Sequence, residues 1–351
     1  MITKLKKAIK WIFRPITRPF FNHIRLIVRE ELSYNKDGLQ SLEIKQFSKV
    51  HLDENDERIR IENFKQYDEF INRFNPYQHT NEEFNNYSRG YKLCLNSFYQ
   101  LYGSYPPECD PFSDEYRNWE MGFFCFITGK NYNVNNEGCS FDVAKEKTHP
   151  LGYNWSVDHR VNTVSRYMEL IKLMKLENGM SILEMGFGLG ILLEILGRFQ
   201  CKISGIEASK DHVELVEYQL KQQHINAILL RGDFLDIEND DRMKGPYDIV
   251  IFEASFHHCN DPVRVLKMLH KKLNQNGRIL FAQEPIYQDF ERPWGIRYDG
   301  ETAYQMRFRG WLELGFRRDF FEELLVRTGF MLSNVFEMQN GYPLIEARKI
   351  N

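Results

Sequence analysis

Three glycines at alternate positions, Gly186, Gly188 and Gly190, stand behind an apolar run that closes on Glu184, and a helical run from Ile191 to Arg198 follows them. Glycine lets a backbone turn sharply and approach a ligand closely. A helix start beside that turn leaves N–H groups without partners. Together these make a cradle for a nucleoside-like ligand, in which Phe187 also lies. Two more carboxylates recur downstream, Glu207 in Gly205-Ile206-Glu207-Ala208 and Asp233 just ahead of Phe234. A carboxylate that accepts two ribose hydroxyls serves any nucleoside, so Glu207 and its neighbour Ala208 join the candidate binding set. A fourth cluster, Glu253-Ala254-Ser255-Phe256-His257-His258, holds groups able to take up a proton near neutral pH.

The elements that must position these residues alternate. Strands are predicted over 181–185, 202–206, 227–231, 247–252 and 277–283, the last after an Asn274-Gln275-Asn276 turn, with closing strands near 331–336 and 343–348. Helices are predicted over 161–174, 191–198, 210–223, 262–273 and 319–328, with Pro262 in a first turn where proline is at home. Apolar strands alternating with helices mean an α/β fold with a largely parallel sheet covered on both faces. Ligands of such sheets sit outside the carboxyl ends of the strands. All four candidate clusters fall there.

A dinucleotide fold competes, but its Gly-x-Gly-x-x-Gly fingerprint requires glycine at 191, where this chain has Ile191. Residues 182–190, 205–207, 232–234 and 247–258 resemble instead the class I S-adenosylmethionine-dependent methyltransferases, over roughly residues 160–351. The resemblance implies a Rossmann-like seven-stranded sheet with its last strand antiparallel, and S-adenosyl-L-methionine as cofactor. It further implies that Gly186, Gly188 and Gly190 lie against the methionine and ribose portions. Glu207 would hold the ribose hydroxyls, Asp233 the adenine amino group and Phe234 the adenine face, while Glu184 orients the loop or meets the cofactor's amino group.

The acceptor is less legible. Methylases of DNA bases and protein amides resemble one another in an Asn/Asp-Pro-Pro-Tyr/Phe stretch where this chain has Glu253-Ala254-Ser255-Phe256, which disfavours those acceptors. A hydroxyl acceptor needs a base that is neutral near pH 7, so His257 or His258 is the catalytic candidate, with Glu253 as orienting partner or alternative base. A structural histidine capping the next helix is the plain alternative. The stretches Arg292 to Gly300 and Gly310 to Phe316 either bind a sugar ring or fold over the sheet edge; they are similar to segments of bacterial methyltransferases found beside cell-surface polysaccharide enzymes. The expected function is methyl transfer to a hydroxyl of a sugar or glycan-linked acceptor. A lipid-like or quinone acceptor, and a non-catalytic cofactor-binding scaffold, are the rivals.

Three segments are expected: a basic amphipathic start over 1–32, an accessory or cap region over 33–159, mostly helical or irregular, and the methyltransferase domain over 160–351. Residues 1–30 carry eight basic side chains and one acid; with a chain total of −3, the remainder carries −10. That polarity fits peripheral contact with an anionic membrane face, or else a solvated arm. The net charge gives no reason to expect nucleic acid as a partner. Aromatic residues crowd 98–126, as an acceptor wall or as a small core. Six dispersed cysteines read as buried thiols of a reducing, cytoplasmic compartment. No metal site is expected, since His257, His258 and Cys259 lack companion ligand pairs.

Overall fold

The computed structural model describes residues 51–350, apart from 54–55, 61, 73–97, 139, 149–150, 154 and 299. The basic segment 1–32, and with it the expected membrane contact, lies outside the described residues. Two short strands, β1 (His51–Asp53) and β2 (Asp56–Arg60), precede helix α1 (Phe64–Asn72). Helices α2 (Asp114–Thr128), α3 (Val143–Thr148) and α4 (Val157–Met174) follow. Ser156 caps α4 by accepting from His159 N, which starts that helix four residues before the predicted 161.

The alternation then unfolds as β3 (Ser181–Met185), α5 (Ile191–Arg198), β4 (Lys202–Glu207), α6 (Lys210–Gln222), β5 (Ala227–Arg231), β6 (Tyr247–Glu253), α7 (Pro262–Lys272) and β7 (Leu273–Ala282). The predicted turn at Asn274-Gln275-Asn276 is instead an irregularity inside β7. Leu273 pairs with Tyr247 and Arg278 with Ile249, so residues 274–277 bulge opposite Asp248, whose carboxylate accepts from Asn274 Nδ2. A small sheet follows, built from β8 (Ile286–Tyr287), β9 (Trp294–Ile296) and β10 (Leu314–Arg317), with helix α8 (Gly300–Tyr304) between β9 and β10. Helix α9 (Arg318–Arg327) and strands β11 (Phe330–Glu337) and β12 (Pro343–Lys349) close the chain.

The main sheet runs β11-β12-β7-β6-β3-β4-β5. Its central pairs are parallel, and β12 alone runs antiparallel to both its neighbours. This is the seven-stranded arrangement with an antiparallel last strand that the resemblance implies. Side chains alternate across the sheet. Ile182, Ile203, Ile249 and Ile251 join α4, α5 and α6 in one core. On the other face Phe252, Phe256, Phe281 and Phe321 stack edge to face, bringing in α9. The chain leaves β3 toward β4 and β5, then returns on the other side of β3 with β6. That reversal opens the crevice at the carboxyl ends of β3 and β6.

Candidate active site

All three loop glycines have positive φ, +78° at Gly186, +48° at Gly188 and +70° at Gly190. Their surroundings differ. A Cβ on Gly186 would stand 2.7 Å from Ser255 Cβ, and one on Gly190 2.5 Å from Val216, so these two let neighbouring elements close in. A Cβ on Gly188 meets nothing within 4 Å. The open side of the loop is therefore at Gly188. Phe187, a sequence candidate for ligand contact, turns the other way; its ring is buried in the core against Gly205, and only its main chain faces the loop.

Glu207 is buried at the end of β4. Its Oε2 accepts from Gly188 N at 2.9 Å and its Oε1 from Ser209 N at 2.9 Å, with His212 Nδ1 3.7 Å away. Burial works against the charge, but His212 and these N–H donors outweigh it and hold the carboxyl below its ordinary range. Each carboxylate oxygen keeps a second lone pair for a ligand hydroxyl. Glu184 is also buried, and its Oε2 has no hydrogen-bond partner. Burial, with Glu253 and Glu207 close by, pushes its carboxyl well above the ordinary value. Such an acidic hollow favours a ligand that brings positive charge. Asp233 Oδ1 caps the following turn by accepting from Leu235 N, and burial raises its carboxyl. Phe234 stands beside Gly186 and meets Phe252 edge-on. Ala208 turns the chain beyond Glu207, its carbonyl accepting from Arg231.

Past β6 the chain turns at Ala254 (φ +52°), and past β7 at Gln283 (φ +58°). These two left-handed turns bring Ser255 to His258 against Glu284. The Glu284 carboxylate accepts from the main-chain N–H groups of Ser255, Phe256 and His257, and its Oε2 lies 2.8 Å from His257 Nδ1. The sequence offers Glu253 as orienting partner of the histidines or as an alternative base. Glu253 instead binds Tyr167 Oη at 3.1 Å, Arg166 at 3.2 Å and Gln283. Glu284 follows a parallel strand just as the named candidates do, so the same strand-end rule points to it.

His258 Nδ1 lies 2.6 Å from Leu312 O and 3.2 Å from Glu137 Oε2. Burial pulls its pKa down, but Glu137, Glu313 and Leu312 O outweigh this and lift it to about 9. Burial and the neighbouring His258 move His257 the opposite way, below its ordinary value. The small sheet supplies Glu313, whose Oε2 is 3.8 Å from His257 Nε2 and 3.0 Å from Arg297. One ligand atom each from His257, His258 and Glu313 lie within 4.8 Å of one another, a set able to hold a metal ion that local spacing did not foretell. Glu137 arrives from the accessory region, fixed by Leu312 N at 2.9 Å. The same segment crosses the ends of β4 and β5, with Asn135 on Arg231 and Gly138 against Ser209.

The inserted stretches are mostly structural. Arg292 is buried in an ion pair with Glu120, Trp294 Nε1 donates to Pro111 O, and Tyr298 Oη meets Tyr67 Oη. The aromatic crowd of 98–126 forms a core around buried Phe98, Tyr99, Phe123 and Phe124. Of the cysteines, Cys201 and Cys259 are buried, and Cys109 and Cys125 half-buried.

The family profile described as "Methyltransferase domain" matches residues 158–334. The chain belongs to the class I S-adenosylmethionine-dependent methyltransferases. An uncharacterized methyltransferase of Schizosaccharomyces pombe is 31% identical over 111 residues, 30% of this methyltransferase and 39% of the relative. One from Bacillus licheniformis is 28% identical, covering 38% and 65%. The ubiquinone biosynthesis O-methyltransferase of Coxiella burnetii is 24% identical, covering 44% and 65%. The chain thus spans 39% to 65% of these relatives' lengths. Among solved structures, an Aquifex aeolicus S-adenosylmethionine-dependent methyltransferase is 15% identical, with 60% of this chain and 100% of that one covered and a TM-score of 0.43. The cofactor is S-adenosylmethionine. The residues present fit it: the orphaned Glu184 oxygen suits an ammonium or sulfonium charge, Glu207 retains lone pairs for ribose hydroxyls, and the space beside Gly188 is open.

Proposed function

We propose that this protein transfers the methyl group of S-adenosylmethionine to a hydroxyl of a sugar or glycan-linked acceptor. The donor, when bound, supplies an electrophilic methyl carbon on a sulfonium. The residues' part is to hold the donor, align the acceptor oxygen and receive or displace its proton. Gly188 and Glu207 take the ribose side, Asp233 and Phe234 the adenine side, and Glu184 the charged end. The acceptor hydroxyl meets the wall of His257, His258 and Glu313.

The observation that carries this reading is the buried Glu284–His257 pair at the same sheet edge as the glycine loop. A carboxylate on Nδ1 fixes the ring and leaves Nε2 as the working nitrogen. The surrounding wall is polar and charged, with Glu137, Glu313, Arg297 and His258, and Trp311 carries Arg309 4.8 Å above its ring. Such a wall suits a polyhydroxylated acceptor better than a lipid-like one. A quinone-type acceptor is the second reading, favoured by the Coxiella relatives' name. Among the described residues no helix is long and apolar enough to cross a membrane. Contact of residues 1–30 with an anionic membrane face belongs to the proposal, and deleting them should abolish binding to anionic vesicles.

Labelled methyl donor offered with simple glycosides and with a dihydroxybenzene decides between the acceptors. Label in the glycoside supports the proposal. Label in the phenol alone supports the second reading, and donor binding with no transfer to any hydroxyl favours a scaffold.

A further inference from the structure

Both histidine rings have their Nδ1 atoms occupied. His257 Nδ1 is 2.8 Å from Glu284, and His258 Nδ1 is 2.6 Å from Leu312 O. An imidazole whose Nδ1–H is so engaged presents Nε2 to a metal, which binds there once that nitrogen has given up any proton, the arrangement in which metal-bound histidines are oriented by carboxylates and carbonyls. Glu313 Oε2 lies 3.8 Å from His257 Nε2, and the three residues each bring one ligand atom within 4.8 Å of the others. Ligand atoms bonded to a shared ion at about 2.0–2.2 Å stand roughly 3.3–3.6 Å apart in a tetrahedral site, so the three side chains draw together by up to about 1.5 Å when an ion binds. Three carboxylates with side chains no more than 7% exposed, Glu137, Glu284 and Glu313, stand around the rings, with His258 Nδ1 3.2 Å from Glu137 Oε2 and Arg297 3.0 Å from Glu313.

We propose that His257, His258 and Glu313 bind one divalent transition-metal ion. Two imidazole nitrogens and one carboxylate suit zinc, manganese, iron(II), cobalt or nickel, and leave coordination positions open. Magnesium and calcium, which prefer all-oxygen sets, fit less well. This inference rests on the O-methylation reading for its purpose: the acceptor hydroxyl would take an open position, where a cation lowers its pKa. The hydroxyl proton is released to water. The oxygen then forms its bond to the methyl carbon as the sulfur–carbon bond breaks, and the bonding pair leaves with sulfur as a neutral thioether. On this reading both histidines are ligands, with Glu284 as positioning residue for His257.

The test uses the full chain, treated with chelator, dialysed and titrated with cobalt(II). One ion per chain is expected, with visible absorption bands of nitrogen- and oxygen-bound cobalt, and binding at least tenfold weaker in His258→Ala and Glu313→Gln. Adenosylhomocysteine affinity within twofold of the parent shows that each variant retains its fold; if one does not, Glu313→Asp replaces it. No cobalt uptake by the parent, or equal uptake by folded variants, overturns the site. A bound ion without methyl transfer to any hydroxyl overturns the O-methylation reading and leaves the site standing.

Discussion

Gly188 is where one added methyl group should cost the most binding for the least fold. Its φ of +48° puts an alanine there under about 1–2 kcal/mol of strain. The new Cβ meets no protein atom and projects into the space assigned to the donor. Gly188→Ala should therefore weaken adenosylhomocysteine binding at least tenfold in calorimetry while the protein stays folded. Gly186→Ala should behave in the opposite sense, since its Cβ stands 2.7 Å from Ser255; its melting temperature should fall further than that of Gly188→Ala. Glu207 adds a pH signature. Its carboxyl is held below the ordinary range, so its stabilisation is present above about pH 4.3 and fades as acid carries the pH down through the folded value. Glu207→Gln should show a shallower loss of stability between pH 5 and the acid limb, read by thermal melts. The glycines, Glu184, Glu207 and Asp233 were legible because each sits where a parallel strand must end. Phe187 was not, because spacing places a residue in a loop without saying to which side its ring turns.

At the scale of elements, the ends of β6 and β7 form one unit. Glu284 gathers three main-chain donors and the His257 ring, and the left-handed Ala254 and Gln283 set the directions from which they come. Removing the carboxylate strands buried N–H groups at about 1–3 kcal/mol each. Glu284→Ala should lower the urea midpoint clearly, and Glu284→Gln, which keeps one acceptor oxygen, should recover part of the loss. An unchanged midpoint in Glu284→Ala would show that water replaces the carboxylate without penalty. The seven strands of the main sheet and the helices α4, α5, α6, α7 and α9 that flank it were legible from apolar periodicity to within about four residues, whereas the strands of the small sheet and helices α1, α2, α3 and α8 were not. The turn expected at Asn274 was not, because its polar residues bulge from a continuing strand to meet Asp248. Glu137 carried no local signal, and Glu313 was legible only as a member of the Gly310 to Phe316 stretch, not as a partner of the histidines. They approach the histidines through the small sheet and the accessory segment, whose positions depend on tertiary contacts.

The whole molecule depends on joints between segments far apart in sequence. Glu120 on α2 is fully buried, bonded to Arg292 and to Ile296 N beside Gly295, where a Cβ would lie 2.5 Å from its carboxylate. Breaking such a pair typically costs about 3–5 kcal/mol, because the remaining charge stays buried. Glu120→Ala should lower the melting temperature by several degrees and loosen the small sheet that carries Glu313. A melt matching the parent's would refute that coupling. The glycine loop and the His257–Glu284 unit thus meet at one sheet edge. The donor half is the foundation, and isothermal titration of the purified protein with S-adenosylhomocysteine tests it most directly. The account predicts saturable binding at one site per chain, weakened at least tenfold by Glu207→Ala in keeping with the ~1.5–3 kcal/mol of a charged hydrogen bond. A parent protein with no saturable binding, or a folded Glu207→Ala protein that binds as tightly as the parent, would contradict it.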